Sequence, residues 1–300
     1  GKTVDCSKRI VMPGLINCHT HIGMHSLRGI CDDEELPNWL DKVIAAEKKF
    51  SEKDIERNAA MACKEMLASG TTTFLEMYYP LGPVYNAVHK SGLRAQLYAA
   101  VYGGLGNEEE QFRAFETLLK ESRKKSGKGK NALVTVGIGP HSVYTCSESM
   151  LKRIKKFADK EKLKISIHIA ETRKERFDVL EKTGSLPVQY LEKLGFLGKN
   201  VLLVHAVWLT KGEVRIIGKS GANVAHCPIS NMKLSSGGVT PLMEMFDAKV
   251  AVGLGTDSVA SNNNMDMFEE MKVCGLLHKH HRWNPKVATV QEILDMATLS

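Results

Sequence analysis

The sequence predicts an α/β protein built as a (β/α)8 barrel of the TIM type. Two observations carry this expectation. Short apolar, β-branched runs alternate eight times with stretches of helical periodicity between Leu15 and His278, the pattern of parallel strands joined by helices. Ligand-type side chains also recur where those runs end: His19 and His21, His141, His168, His205, His226 and Asp257. Eight units argue a closed barrel, whose active site sits at the carboxyl ends of the strands. The alternative is an open doubly wound sheet. It would normally carry a Gly-rich phosphate loop after an early strand, and the sequence has none.

The units follow in order. Leu15–Cys18 is the first strand, followed by a long segment containing Trp39. A helix runs from Glu52 to Ser69, with Ser51 as its N-cap and Gly70 as its stop. Thr71–Met77 is the second strand, and Pro83–Ser91 is helical up to Gly92. Arg94–Val101 is the third strand, and Glu108–Lys125 is a charged amphipathic helix. Ala132–Ile138 is the fourth strand, running into Gly139-Pro140-His141. Ser147 opens a helix to Lys162. Lys164–Ile169 is the fifth strand and holds His168; Leu186–Leu194 is helical. Val201–Val204 is the sixth strand, ending at His205, and Lys211–Gly218 is helical. Ala222–Ala225 is the seventh, ending at His226, and Val239–Phe246 is helical. Lys249–Leu254 is the eighth, leading to Gly255-Thr256-Asp257 and a helix from Met265 to His278.

A chain of 300 residues at 43% hydrophobic buries a large core. The net charge of +7 is modest, and much of it lies in Lys120–Lys130 among Ser and Gly. That reads as a solvated loop. Without interleaved aromatics it argues against nucleic-acid binding. The apolar run near Val201–Leu209 is interrupted by His205 and is far too short to span a membrane. Seven scattered cysteines without C-x-x-C spacing read as reduced thiols in a cytoplasmic protein. The chain begins at Gly1 rather than Met, so an earlier N-terminus is expected.

The chemistry gathers around Pro13-Gly14-Leu15-Ile16-Asn17-Cys18-His19-Thr20-His21. Residues two apart on a strand face the same way, so His19 and His21 point to one side. Two imidazoles at a strand end suit zinc, iron, copper or nickel. His168 and Asp257 complete a nitrogen and oxygen ligand set that leaves a position for water. Glu171 follows His168 by three residues, where a carboxylate reaches that water and serves as a proton shuttle.

Five stretches carry a resemblance. They are Val11 to His21, Gly139-Pro140-His141-Ser142, His168-Ile169-Ala170-Glu171-Thr172, Val204-His205-Ala206, and Gly255-Thr256-Asp257 to Asn263. The chain resembles the amidohydrolase superfamily, and within it the 5-methylthioadenosine/S-adenosylhomocysteine deaminase group. The resemblance implies one divalent metal per chain, Zn2+ with Fe2+ as the alternative, on His19, His21, His168 and Asp257. It implies that Glu171 moves the water's proton to the ring nitrogen beside the attacked carbon. His205 would orient the water, and Asp257 would accept a proton before ammonia leaves. Trp39 would pack on the substrate, Glu47 would grip ribose hydroxyls, and His141 would contact the nucleoside. The substrate implied is a small adenosine-type nucleoside, with self-association left open.

The chain departs from that group in two places. Members that accept S-adenosylhomocysteine use arginines near the third strand, whereas here the strand reads Tyr98-Ala99-Ala100-Val101-Tyr102 and Gly103–Glu110 has no arginine. The resemblance also implies a small β-sandwich from both chain ends. Gly1–Arg9 and Thr298–Ser300 read as its edges, so residues 10–300 are expected to be mainly the barrel. Competing readings are a guanine deaminase or triazine chlorohydrolase on the same scaffold, and a non-catalytic relative. Glu47 speaks against a triazine, which has no ribose, and the intact ligand set speaks against a non-catalytic role.

Overall fold

A computed structural model describes residues 3–125 and 133–299. Gly1, Lys2, the second half of the Lys-rich stretch from Ser126 to Lys130, Asn131, the start of the expected fourth strand at Ala132, and Ser300 lie outside the described residues. The strands are β1 (Leu15–Thr20), β2 (Thr71–Tyr78), β3 (Arg94–Val101), β4 (Val134–Pro140), β5 (Ile165–Ile169), β6 (Val201–His205), β7 (Asn223–His226) and β8 (Val252–Leu254). They form one sheet in sequence order, each parallel to the next. A parallel bridge between Thr20 and Asp257 joins the eighth strand back to the first at the carboxyl end. This is the expected (β/α)8 barrel.

Alternation sorts the side chains. Leu15, Phe74, Leu97, Ile138, Ile165, Leu203, Val224 and Leu254 turn outward and are buried under the helices. Cys18, Leu202, Val204, Ala225 and Cys227 pack together, although β1, β6 and β7 are not all neighbours, so they meet across the barrel axis. Fully burying an aliphatic side chain contributes about 1.5–3 kcal/mol, and this layer supports the site above it.

The helices differ from the sequence reading in informative ways. The segment expected only to contain Trp39 holds a 3-10 turn, Ile22–Leu27, and helix α1, Leu36–Glu47. Helix α2 is Glu52–Ala68, with Ser51 and Asp54 forming a capping box. Helices α3 (Leu81–Ser91), α4 (Glu108–Lys125) and α5 (Glu148–Glu161) lie where expected, although α4 claims the first half of the stretch read as a solvated loop. Helix α6 (Arg173–Thr183) was not expected. It buries only Glu175 and Val179 and so has almost no apolar stripe to read. Helices α7 (Pro187–Lys193) and α8 (Lys211–Ser220) follow, then two short ones, α9 (Pro228–Lys233) and α10 (Leu242–Asp247). The chain continues through α11 (Val259–Asn262), α12 (Met267–His281) and α13 (Val290–Thr298).

Candidate active site

The His-x-His pair converges, but plain alternation is not the reason. The pairing of β1 with β2 slips between Asn17–Phe74 and Thr20–Glu76, three residues against two. This β-bulge inserts an extra residue and re-aims a side chain. It lets both Cys18 and the next residue, His19, turn toward the axis. His21 lies just past the strand, and its Nδ1 meets Met77 O at 2.6 Å. His168 Nδ1 meets His141 O at 2.8 Å. A carbonyl only accepts, so both Nδ1 atoms carry hydrogen and both Nε2 atoms offer a lone pair.

The offered atoms cluster. His19 Nε2 lies 3.2 Å from His168 Nε2. Asp257 Oδ1 lies 3.5 Å from His19 Nε2 and 3.4 Å from His21 Nε2. Two nitrogens on one tetrahedral ion with bonds of about 2.0–2.1 Å sit roughly 3.3 Å apart, so these spacings fit a divalent ion. Burial and the neighbouring imidazoles push His21 down to about 4 and His168 well below its usual value, which keeps both in the neutral form that ligates. Burial pushes the Asp257 carboxyl up. The contact to His19 and the charges of His19, His21 and His205 outweigh it and hold the group well below the usual carboxylate range. Asp257 is also braced from behind, for Ser230 Oγ donates to its Oδ2 at 2.5 Å and Ser261 Oγ at 3.1 Å.

His205 is drawn in differently. Val204 points inward, so a regular strand would turn His205 out. Its φ of +72° breaks the alternation and swings it over the site. A second possible metal group joins His205 to His19 and Asp257, but its hydrogen bonding differs from that of the other histidines. Asn231 Nδ2 donates to His205 Nδ1 at 3.1 Å, which leaves the hydrogen on Nε2, 3.7 Å from Glu171 Oε2. A ring nitrogen that carries hydrogen is a donor and has no lone pair to give a metal.

Glu171 is held by a buried carboxylate that sequence reasoning missed. Glu175 accepts from Ala170 N at 2.9 Å and from Glu171 N at 2.8 Å, which fixes the turn after β5. Burial, with Asp257 and Glu175 adding to it, raises the Glu171 carboxyl well above its ordinary value. A carboxyl raised in this way has a greater proton affinity than an exposed one, which suits it to receive a proton and pass it on.

His21, His168, Glu171, His205 and Asp257 face a cavity of about 110 Å³. Its outer wall is one face of α1: Leu36, Trp39, Leu40, Val43, Ile44 and Glu47 recur at helical spacing along it. Trp39 is buried and its Nε1 donates to Ala260 O at 3.2 Å, tying α1 to the loop after β8. Glu47 is not a solvated helical charge. Burial pushes its carboxyl up to about 7, against the hydrogen bond from Tyr78 Oη, which lowers it. His141 lines the cavity and stacks on Tyr102 with centroids 4.5 Å apart. Tyr78, Tyr102 and Tyr144 all line the cavity and none was singled out from sequence. Among the described lining residues there is no Lys or Arg.

His226 does not join the rim. Ala225 and Cys227 point inward, so the residue between them points out, and His226 Nε2 lies 3.2 Å from His278 Nε2 on α12. Its expected place among the site histidines is corrected by strand parity.

A parallel barrel that gathers histidines and an aspartate at its carboxyl rim, beside a buried carboxyl, defines a metal-dependent hydrolase. The chain belongs to the amidohydrolase family, whose pattern matches residues 10–300. It is 42% identical to a 5'-deoxyadenosine deaminase of Methanopyrus kandleri over 97% of this chain and 67% of that one. It is also 42% identical to a 5-methylthioadenosine/S-adenosylhomocysteine deaminase of Thermococcus kodakarensis, over 98% and 69%. Among solved structures it superposes on an adenosine deaminase from Xanthomonas campestris with bound zinc. There the TM-score is 0.90 and the identity 30%, covering 96% of this chain and 65% of that one. The chain therefore spans about two thirds of the length of these relatives. No helix among the described residues is long and apolar enough to cross a membrane, and the cysteines are unpaired.

Proposed function

We propose that this barrel deaminates adenosine-type nucleosides by metal-assisted hydrolysis, releasing ammonia and leaving the inosine analogue. One observation carries the reading: the group of His19, His21 and His168, with Asp257 Oδ1 within 3.5 Å of the first two, opens beside Glu171 on a cavity whose far wall holds a half-buried Glu47. The names of the similar proteins support it. His19, His21, His168 and Asp257 would hold one ion, with zinc the choice that nitrogen and oxygen donors favour. When bound, such an ion supplies Lewis acidity that brings the pKa of water from about 15.7 to about 7.

The chain's own residues do the rest. His205 Nε2–H holds the attacking water in line through a hydrogen bond. Glu171 takes a proton from that water and delivers it to the ring nitrogen beside the attacked carbon. Asp257 accepts the second proton, from the hydroxyl now on the attacked carbon, and passes it to the amino nitrogen, which departs as ammonia. Trp39 and the apolar face of α1 cover the purine and exclude bulk water, and His141 contacts the nucleoside. Glu47 accepts from the two vicinal ribose hydroxyls. The thiols fit a cytoplasmic setting. Residues 3–9 form no strand, and we read them as an edge of a β-sandwich, a reading supported by the exposed apolar Val4, Ile10 and Val11.

With no cation lining the cavity among the described residues, a carboxylate on the 5′ side finds no partner. S-Adenosylhomocysteine is therefore expected to be a poorer substrate than 5′-deoxyadenosine or 5′-methylthioadenosine. Steady-state kcat/KM for adenosine, these three compounds and 2′-deoxyadenosine tests this. S-Adenosylhomocysteine as best substrate overturns the 5′ argument. Reaction only with guanine or a triazine overturns the deaminase reading itself.

Glu47→Ala should lower kcat/KM for ribonucleosides and shrink the ribo-over-deoxy preference. A hydrogen bond to a charged group is worth about 1.5–3 kcal/mol, roughly 10- to 100-fold. The Glu47 carboxyl is raised to about 7, so it is protonated below that value and charged above it. The ribo-over-deoxy ratio should therefore climb as the pH rises through that value. A flat ratio in wild type, or an unchanged ratio in the variant, would take the ribose contact away from Glu47.

A further inference from the structure

We propose that His226, Cys274 and His278 form a second metal site, structural rather than catalytic, that takes a borderline-soft divalent ion such as zinc. The three offer ligand atoms within 4.8 Å of one another. His226 ends β7. Cys274 and His278 are four apart on α12 and so share one face of the helix. All three are at most 1% exposed. The His226 and His278 Nε2 atoms are 3.2 Å apart, again close to the roughly 3.3 Å expected of two nitrogens on one tetrahedral ion.

The tautomer of His226 agrees. The Thr240 hydroxyl donates to His205 O at 3.2 Å, so toward His226 Nδ1, 3.1 Å away, it accepts. Nδ1 then carries the hydrogen and Nε2 offers its lone pair to the cluster, the outer-shell arrangement typical of ligating histidines. A hydrogen bond between the two imidazoles would satisfy those nitrogens but would leave the thiol a bystander. A metal uses all three groups. Glu270, one turn before Cys274, is fully buried, and its Oε2 has no hydrogen-bond partner. It is not one of the three clustered ligands, so a fourth position would fall to water. Binding exchanges the thiol proton of Cys274 for the metal and releases that proton to solvent.

The donor sets of the two sites differ, and the test exploits the difference. Sulfur is present here and absent from the catalytic cluster. Protein produced in cobalt-supplemented medium is expected to hold one more equivalent of metal than the catalytic site accounts for. It should also show a thiolate-to-cobalt charge-transfer band in the near ultraviolet. Cys274→Ala should lose the band and one equivalent. His19→Ala should lose the catalytic equivalent and keep the band, so failure of one assignment is distinguishable from failure of the other. Equal metal content in wild type and Cys274→Ala, with no band in wild type, overturns the proposal. Should Cys274→Ala not fold, X-ray absorption on the zinc-loaded wild type decides. A sulfur shell near about 2.3 Å supports the site, and a shell of nitrogen and oxygen alone overturns it.

Discussion

His19→Ala and Asp257→Ala are each expected to purify with one equivalent of metal fewer than wild type and with turnover at the detection limit. His19 Nε2 sits 3.2 Å from one proposed co-ligand and 3.5 Å from another, and both residues are buried. Without the ion, water returns to its bulk acidity, and nothing else in the cavity makes up a difference of almost nine pKa units. Elemental analysis and turnover are measured on the same samples, with circular dichroism to confirm the fold. Asp257→Ala also takes the charged acceptor from the hydroxyls of Ser230 and Ser261, which keep Ser261 Oγ and Ser258 O, an added loss of about 1–3 kcal/mol. Its melting temperature should therefore fall further than that of His19→Ala. Full catalytic metal in both variants would sink the ligand assignment.

Glu171→Gln is expected to keep its metal and lose turnover by roughly 10²- to 10⁴-fold, the usual span for a lost general acid–base. Glutamine preserves the shape and leaves intact the Glu171 backbone bond to Glu175, which fixes the turn. What it removes is the ability to receive and return a proton. Substrate affinity should change little. Rapid-quench measurement of the chemical step, beside a metal assay, separates the two. Near-normal chemistry with metal retained would move the proton transfer elsewhere, and His205, 3.7 Å away, would be the next group to test.

The barrel was legible because its evidence is periodic. Each strand carries outward aliphatics such as Ile165 and Leu203 that only a parallel sheet under helices would bury. The candidate ligand residues were picked out by type and place at strand ends, and the structure brings them together. Parity was the signal left unused. Reading β7 as Ala225 in, His226 out, Cys227 in would have removed His226 from the rim. The same rule would have mistaken His205, whose positive φ no sequence pattern announces. The bulge before Thr20 is equally silent, since it exists only as a mismatch of pairing between two strands. Helix α6 stayed hidden because it is nearly all charged. Glu175 hid with it, although Thr172, three residues earlier, is the helix N-cap and accepts from Glu175 N. Tyr78 and Tyr102 were invisible for another reason. They matter through what a distant helix or loop brings beside them.

Four residues around the site, Ala170, His205, Ala206 and Asp257, hold left-handed backbone with φ of 48°, 72°, 52° and 63°. Each such residue costs about 1–3 kcal/mol, against a folding margin of about 5–15 kcal/mol for a whole domain. Strain on this scale makes the rim a natural target for laboratory selection. A screen for heat resistance that ignores activity should collect substitutions here ahead of the outer helices. Glycine at 170 and 206 would relax the backbone and leave the reacting side chains in place. At 205 and 257 the same relief would erase the chemistry, so tolerance should split along that line, with two alanines free to drift and their two strained partners held.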